Sequence, residues 1–206
     1  MTREPSSYHR EIAAQNRQAI LRAAGALFLE AGYDRTSLAV VAESAGVSKA
    51  TLFKQFPTKA ELFEATVLAA GGATGVEPPR PSLDDLEAGL AQLGRAYADL
   101  LADPRMTGLM RTIIAEAPRF PELRERTFDF GTLPVLQALR HYLHEAHSVG
   151  VADIGDAEVA ATQFLGMIAS AVFWPRLVHG TWSIAEEERL CAVDEAARTI
   201  AARFAV

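Results

Sequence analysis

"AGVSKATLFKQF" (Ala45–Phe56) sets a small residue and a glycine before a run that mixes Ser, Lys, Thr and Gln with apolar anchors. Gly46 interrupts one helical pattern, and Ser48 stands where a side-chain oxygen can cap the next, KATLFKQF. Leu52 and Phe56, four residues apart, face inward together with Val47. That leaves Ser48, Lys49, Ala50 and Thr51 in an outward first turn, with Phe53, Lys54 and Gln55 further along.

The flanks supply the rest of a small domain. Upstream, Ile20, Ala24, Leu27, Phe28 and Ala31 repeat at helical spacing, and Gly32 ends that helix. Thr36-Ser37 caps a short helix, LAVVAESA; downstream, Pro57-Thr58 resets the chain before KAELFEATVLAA. Leu38, Val41, Val47, Leu52 and Phe56 close a core against Leu27 and Phe28, with Leu62 and Phe63 beneath. Two short helices about a glycine turn, buttressed by a longer one, make a helix-turn-helix.

Charge is distributed unevenly. Residues 1–70 carry a balance of +1 and residues 71–206 a balance of −7. All three lysines, Lys49, Lys54 and Lys59, fall between Ala45 and Ala60, a stretch without one acid. A major-groove helix needs an apolar inner side, a short-chained first turn near base edges, and flanking donors for phosphates. The quoted stretch offers all three. Lys59 can reach a phosphate from the start of the following helix, as can Thr36 and Ser37 from the start of the preceding one.

"GGATGVEPPRPS" (Gly71–Ser82) has three Gly, three Pro and no apolar periodicity, and reads as a linker between domains at 1–70 and 71–206. Five helices are expected beyond it. Ser82 caps the first; Asp103-Pro104 starts the second; Gly131 and Pro134 kink or break a long third. Asp156 opens a fourth that runs through Trp174 to Gly180, and Ser183 with Glu186 forms a capping box for the last. The fold class is all-α.

Two helices carry seams at steps of three and four: Ala161, Leu165, Ile168 and Val172 on one, Leu190, Val193, Ala197, Ile200 and Phe204 on the other. Such seams suit a four-helix interface between two copies, or burial within one. Tyr97, Met106, Met110, Phe128, Met167 and Trp174 are adaptable apolar groups for a small-molecule site, with Arg111 and Gln163 as polar anchors; methionines fill ordinary cores as well.

Ile20–Val67 resembles the N-terminal domain of TetR/AcrR-type transcriptional regulators, in the pattern AA..LF.E.GY, the TS before the first motif helix, AGVSKATLF..F and KAELF. The stretches around AEAPRFPEL and AATQFLGMIAS resemble, more loosely, the ligand-sensing and dimerisation domain of some members. The resemblance implies a three-helix DNA-binding domain followed by a larger helical effector and dimerisation domain. It implies DNA contacts from Thr36, Ser37, Ser48, Lys49, Ala50, Thr51, Phe53, Lys54, Gln55 and Lys59. Phe53 departs from the usual tyrosine and has no hydroxyl for the backbone; Gln55 stands where an aromatic or His is common. The implied function is a repressor, released from a near-palindromic operator by a small, mainly apolar effector, acting without cofactor or catalysis as a homodimer whose interface is the two helical seams.

Competing readings are weaker on the residues. His141, His144 and His147 recur at steps of three, whereas a metal site on one helix wants steps of four, so an enzyme or metal sensor is not favoured and no metal is expected. An architectural DNA binder without effector is the other alternative. One cysteine, Cys191, excludes an intrachain disulfide framework. The polar N-terminal stretch lacks a signal-peptide core, and no run nears the roughly 20 apolar residues a span needs, so a cytoplasmic protein is expected.

Overall fold

The structure, a computed structural model, describes residues 7–72, 77–123 and 133–206. Its helices are α1 (Ser7–Arg35), α2 (Leu38–Ser44), α3 (Lys49–Gln55), α4 (Lys59–Ala70), α5 (Leu86–Ala102), α6 (Pro104–Glu116), α7 (Pro134–Ser148), α8 (Ala157–Val172), α9 (Trp174–Val178) and α10 (Glu186–Phe204). Among the described residues there is no strand, only an isolated antiparallel bridge between Ala152 and Ala205. The contacts divide the chain into two compact units. One takes the chain up to Ala69 with a segment beginning at Gly108; the other takes Ala70–Thr107 with the C-terminal residues.

In the first unit, α1 carries the framework and breaks at Gly32, whose φ of +81° is the expected stop. Ile20, Ala24, Val41, Leu52, Leu62 and Val67 are buried around an aromatic cluster. Phe63 meets Phe28 edge-on at 4.8 Å and Tyr33 at 5.4 Å, and Phe120 closes on Tyr33 at 5.1 Å. Phe120 comes from the second segment of this unit, a contribution that the local periodicity of residues 1–70 does not contain.

The second unit is built on α5, which packs on α10, α8 and α7. Its buried stripe includes Leu90, Leu93, Gly94, Ala98 and Leu101. Gly94 is there because of close approach: a Cβ would lie 2.8 Å from Val193 Cγ1 and 2.9 Å from Phe164 Cζ, inside contact distance.

Helix starts partly follow expectation. Asp103 accepts the Arg105 N–H at 2.8 Å with Pro104 as the first helical residue, and Asp156 accepts the N–H groups of Glu158 and Val159. Ser82 does not cap α5. Asp85 does, accepting the Ala88 N–H at 2.9 Å, while the Ser82 hydroxyl donates to Asp84. The capping box is absent because α10 begins at Glu186 itself, after Ala185, and the Glu186 carboxylate pairs with Arg189 at 2.7 Å. The fourth expected helix is two: Pro175 has no N–H to continue α8, so the chain bends at Phe173 and restarts as α9. Pro134 is the first residue of α7; Gly131 lies outside the described residues.

Candidate nucleic-acid interface

The corner between α2 and α3 is held by backbone hydrogen bonds that only a left-handed residue allows. Gly46, at φ +67°, donates to Glu43 O at 3.1 Å, and Val47 donates to Ala42 O at 3.0 Å, the two bonds of a Schellman cap. A Cβ at that φ is strained whatever space surrounds it. Each short helix is also capped from its front. Ser37 Oγ accepts the Val40 N–H at 3.3 Å, and Ser48 Oγ accepts the Thr51 N–H at 3.1 Å while lying 2.8 Å from Thr51 Oγ1. Helices of seven residues are marginal alone. These caps, with Leu52 and Phe56 sunk into the core, fix α3 in place.

The outer face of α3 presents Ser48, Lys49, Ala50 and Lys54 to solvent, with Phe53 49% exposed. Thr51 and Gln55 are half-buried, and Ser37 is exposed at the start of α2. Gln55 is engaged from behind: its amide Nε2 donates to Ala13 O at 3.4 Å. Next to it, the Arg17 guanidinium lies over the Phe56 ring, 4.5 Å from the centroid. Neither tie is visible in the spacing of the motif.

Two of the residues expected to contact phosphate are engaged within the chain. Thr36 is only 3% exposed; its hydroxyl donates into the end of α1, 2.8 Å from Gly32 O and 3.2 Å from Leu27 O. Lys59 turns inward as well. Its ammonium donates to Tyr33 O at 2.8 Å and Asp34 O at 3.1 Å, above the Tyr33 ring at 4.3 Å. These carbonyls close the C-terminal end of α1, where a cation is favoured. Burial lowers the Lys59 pKa, and Asp34, Glu116 and Glu122 pull it back up. Sequence spacing cannot show that α1 ends beside the start of α4. Lys59→Met is therefore expected to lower the melting stability of the first unit by about 1–2 kcal/mol and to leave the salt slope of DNA binding unchanged. A slope lower by about one with unaltered melting would return Lys59 to the phosphate role.

In the second unit the expected effector residues are scattered. Met106 is buried and Met167 half-buried, and burial pushes the Tyr97 phenol up to about 12. Trp174 is 54% exposed, because the break before Pro175 takes it off the inner face of α8. Met110, half-buried, belongs to the first unit; Phe128 lies outside the described residues. Arg111 is exposed, and Gln163 accepts from Arg203 at 2.8 Å. A different space is built where Glu77–Pro81 crosses α7: a groove of about 480 Å³ walled by Pro78, Pro79, Pro81, Pro134, Ala138 and Tyr142, with His141, Glu145, Gln137, Glu77 and Arg80 as its polar groups. The three histidines go separate ways. His141 Nε2 lies 3.7 Å from Glu145, His147 Nδ1 accepts the Ile154 N–H at 3.2 Å, and His144 is exposed.

Most residues of the two helical seams are covered within the chain. Ala161, Ile168, Val172, Val193, Ala197 and Ile200 are buried within this single chain, on α5 and between α8 and α10. Only Leu165, Leu190 and Phe204 are half-buried and available to another copy. Steps of three and four mark a buried face without saying whose surface buries it.

Comparison with known proteins covers both ends of the chain. Residues 20–66 match the family model described as bacterial regulatory proteins, tetR family, and residues 88–206 match the AefR-like transcriptional repressor, C-terminal domain. An uncharacterized HTH-type transcriptional regulator of Mycobacterium tuberculosis (strain H37Rv) is 34% identical over 99 residues, 48% of this chain and 46% of the relative. The chain thus spans about half the length of the curated relatives it matches. Among solved structures, a putative TetR-family regulator from Mesorhizobium loti superposes with TM-score 0.76 at 26% identity, covering 94% of this chain and 98% of that one. The flavonoid-responsive regulator FrrA superposes with TM-score 0.74 at 29% identity, covering 92% and 97%.

Proposed function

Because the chain belongs to the TetR family of bacterial regulatory proteins, we propose that it binds one operator sequence as a homodimer and represses transcription until an effector releases it. The observation that carries this is the front of α3: a capped first turn with Ser48, Lys49 and Ala50 exposed, on a helix whose other side is sunk in the core. Small side chains there admit base edges and thymine methyls, and Lys49 is placed for a base or its phosphate. The DNA-binding residues are then Ser37, Ser48, Lys49, Ala50, Thr51, Phe53, Lys54 and Gln55, without the Thr36 side chain and Lys59.

The first unit reads DNA, and the second holds the effector site and the dimer contact. Leu165, Leu190 and Phe204, with the exposed Val159 and Trp174, are apolar residues left for a second copy. Two copies set their recognition helices one DNA turn apart, or a multiple, on a near-palindrome. The proline-walled groove has the volume of a small-molecule site and suits a mainly apolar effector with one or two polar groups. Swinging occupancy from 99:1 to 1:99 requires such an effector to prefer the released conformation by about 10⁴-fold. No described helix is long and apolar enough to cross a membrane, which fits action on DNA in the cytoplasm.

Footprinting on the DNA flanking its own gene, repeated with a panel of apolar compounds that includes flavonoids, tests the whole reading. A protected near-palindrome, lost on adding one compound, is the expected result; no protection of any site at low salt overturns it. On that site, Lys49→Ala is expected to relax discrimination at one base position by about 1–3 kcal/mol while random duplex binding changes far less. Equal loss on both duplexes assigns Lys49 to phosphate alone.

A further inference from the structure

We propose that the N-terminal half of α1, residues 7–19, is a second DNA-contacting element, an arm that grips the phosphodiester backbone beyond the bases read by α3; this rests on the DNA-binding reading above. The core-facing residues of α1 begin only at Ile20. Before it, among the described side chains, Tyr8, His9, Glu11 to Gln15, Arg17 and Gln18 are exposed, and only Asn16 and Ala19 are half-buried. A helical stretch with no buried stripe gains little from its own core, and it persists here as a continuation of a helix already nucleated. Its uncovered surface therefore lacks a partner within the described residues.

The chemistry of that surface selects the partner. Its described side chains include Arg17 and His9 against a single acid, Glu11, interleaved with Gln15, Asn16 and Gln18. Cations and amide donors of this kind hydrogen-bond phosphate oxygens and sugars. The position follows from the two ties already described. Ala13 receives the Gln55 amide and Arg17 covers Phe56, so the arm is fastened to the last turn of α3 and its C-cap. The base-reading turn, Ser48–Thr51, is at the other end of a helix about 10 Å long. An arm anchored there meets backbone flanking the half-site and leaves the bases to α3. Gln55 then has a positional role: it orients the arm relative to the recognition helix. The matched family segments begin at Ile20 and at Ala88, so the arm lies outside both.

The test uses a duplex selected from a random pool by the wild-type protein, in two lengths: trimmed to the site, and extended by about 10 base pairs on each side. Gln15→Glu with Gln18→Glu puts two negative charges on exposed helix-compatible positions that make none of the contacts to α3. The double variant is expected to lose about tenfold in affinity on the extended duplex, to change little on the trimmed one, and to lose hydroxyl-radical protection outside the half-sites, with its circular dichroism unaltered. Wild-type affinity and an unchanged footprint on the extended duplex overturn the arm. Equal loss on both lengths overturns its flanking position. Failure of the wild-type protein to select any duplex overturns the DNA-binding reading instead, and so is distinguishable from failure of the arm.

Discussion

Replacing Phe63 by alanine is expected to abolish DNA binding at physiological temperature without touching a DNA-facing atom. Phe63 is fully buried, and its ring is the one that both Phe28 and Tyr33 meet edge-on, at 4.8 and 5.4 Å. Truncation removes the ring's burial and leaves a cavity beneath α1 and α4, a combination that costs about 3–5 kcal/mol. That is a large share of the roughly 5–15 kcal/mol by which such units are stable. For a unit of fewer than about 100 residues each kcal/mol moves the melting midpoint by roughly 4–8 °C, so a fall on the order of 20 °C is expected. Cooling should restore operator affinity, since the outer face of α3 is intact. Phe53→Ala is the control: half-exposed and outside the core, it should shift melting by no more than about 0.5 kcal/mol. Calorimetry with gel-shift titrations at two temperatures checks both. A Phe63→Ala variant that melts with the wild type would show that the aromatic cluster does not support α3.

The second large effect is electrostatic. Lys49→Glu combined with Lys54→Glu is expected to weaken binding to every duplex by about a thousandfold at physiological salt, equivalent to roughly 4 kcal/mol. Losing the Lys54 phosphate contact removes about 0.9 from the slope of log affinity against log salt, and both introduced carboxylates repel the nearby backbone of any duplex. Both side chains are exposed and neither donates to the protein core, so melting should stay within about 0.5 kcal/mol of wild type. The corresponding double alanine variant should lose about thirtyfold, the repulsive half being absent. Unchanged affinity in the glutamate variant, with melting preserved, would mean that DNA does not approach this face.

The helix-turn-helix was legible because its determinants are local. Gly46 is needed for the left-handed corner, Ser37 and Ser48 cap from three residues away, and Leu52 and Phe56 share a face by being four apart. The same locality explains the errors. Pro175 lies inside the stretch from Asp156 to Gly180 expected as one helix, but the outward turn of Trp174 follows only once α8 has ended at its missing N–H. Ser183 and Glu186 have the spacing of a capping box, yet that spacing does not state where α10 starts. The seam spacing marks a buried face without saying what covers it; that Gly94 of α5 lies against Val193 and Ile168 is a contact between elements far apart in the chain.

The sequence by itself determined the all-helical class, the helix-turn-helix and the outward set on α3, since each depends on residues within one or two turns of one another. Tertiary structure alone decided that Thr36 and Lys59 serve the end of α1, that Phe120 completes the first core, and that α1 continues as an exposed arm fastened to α3. The physical reason is the same in each case. A side chain with a charge or a hydroxyl has the same chemistry toward a phosphate and toward a helix-terminal carbonyl, and what it meets is set by how the chain packs in three dimensions.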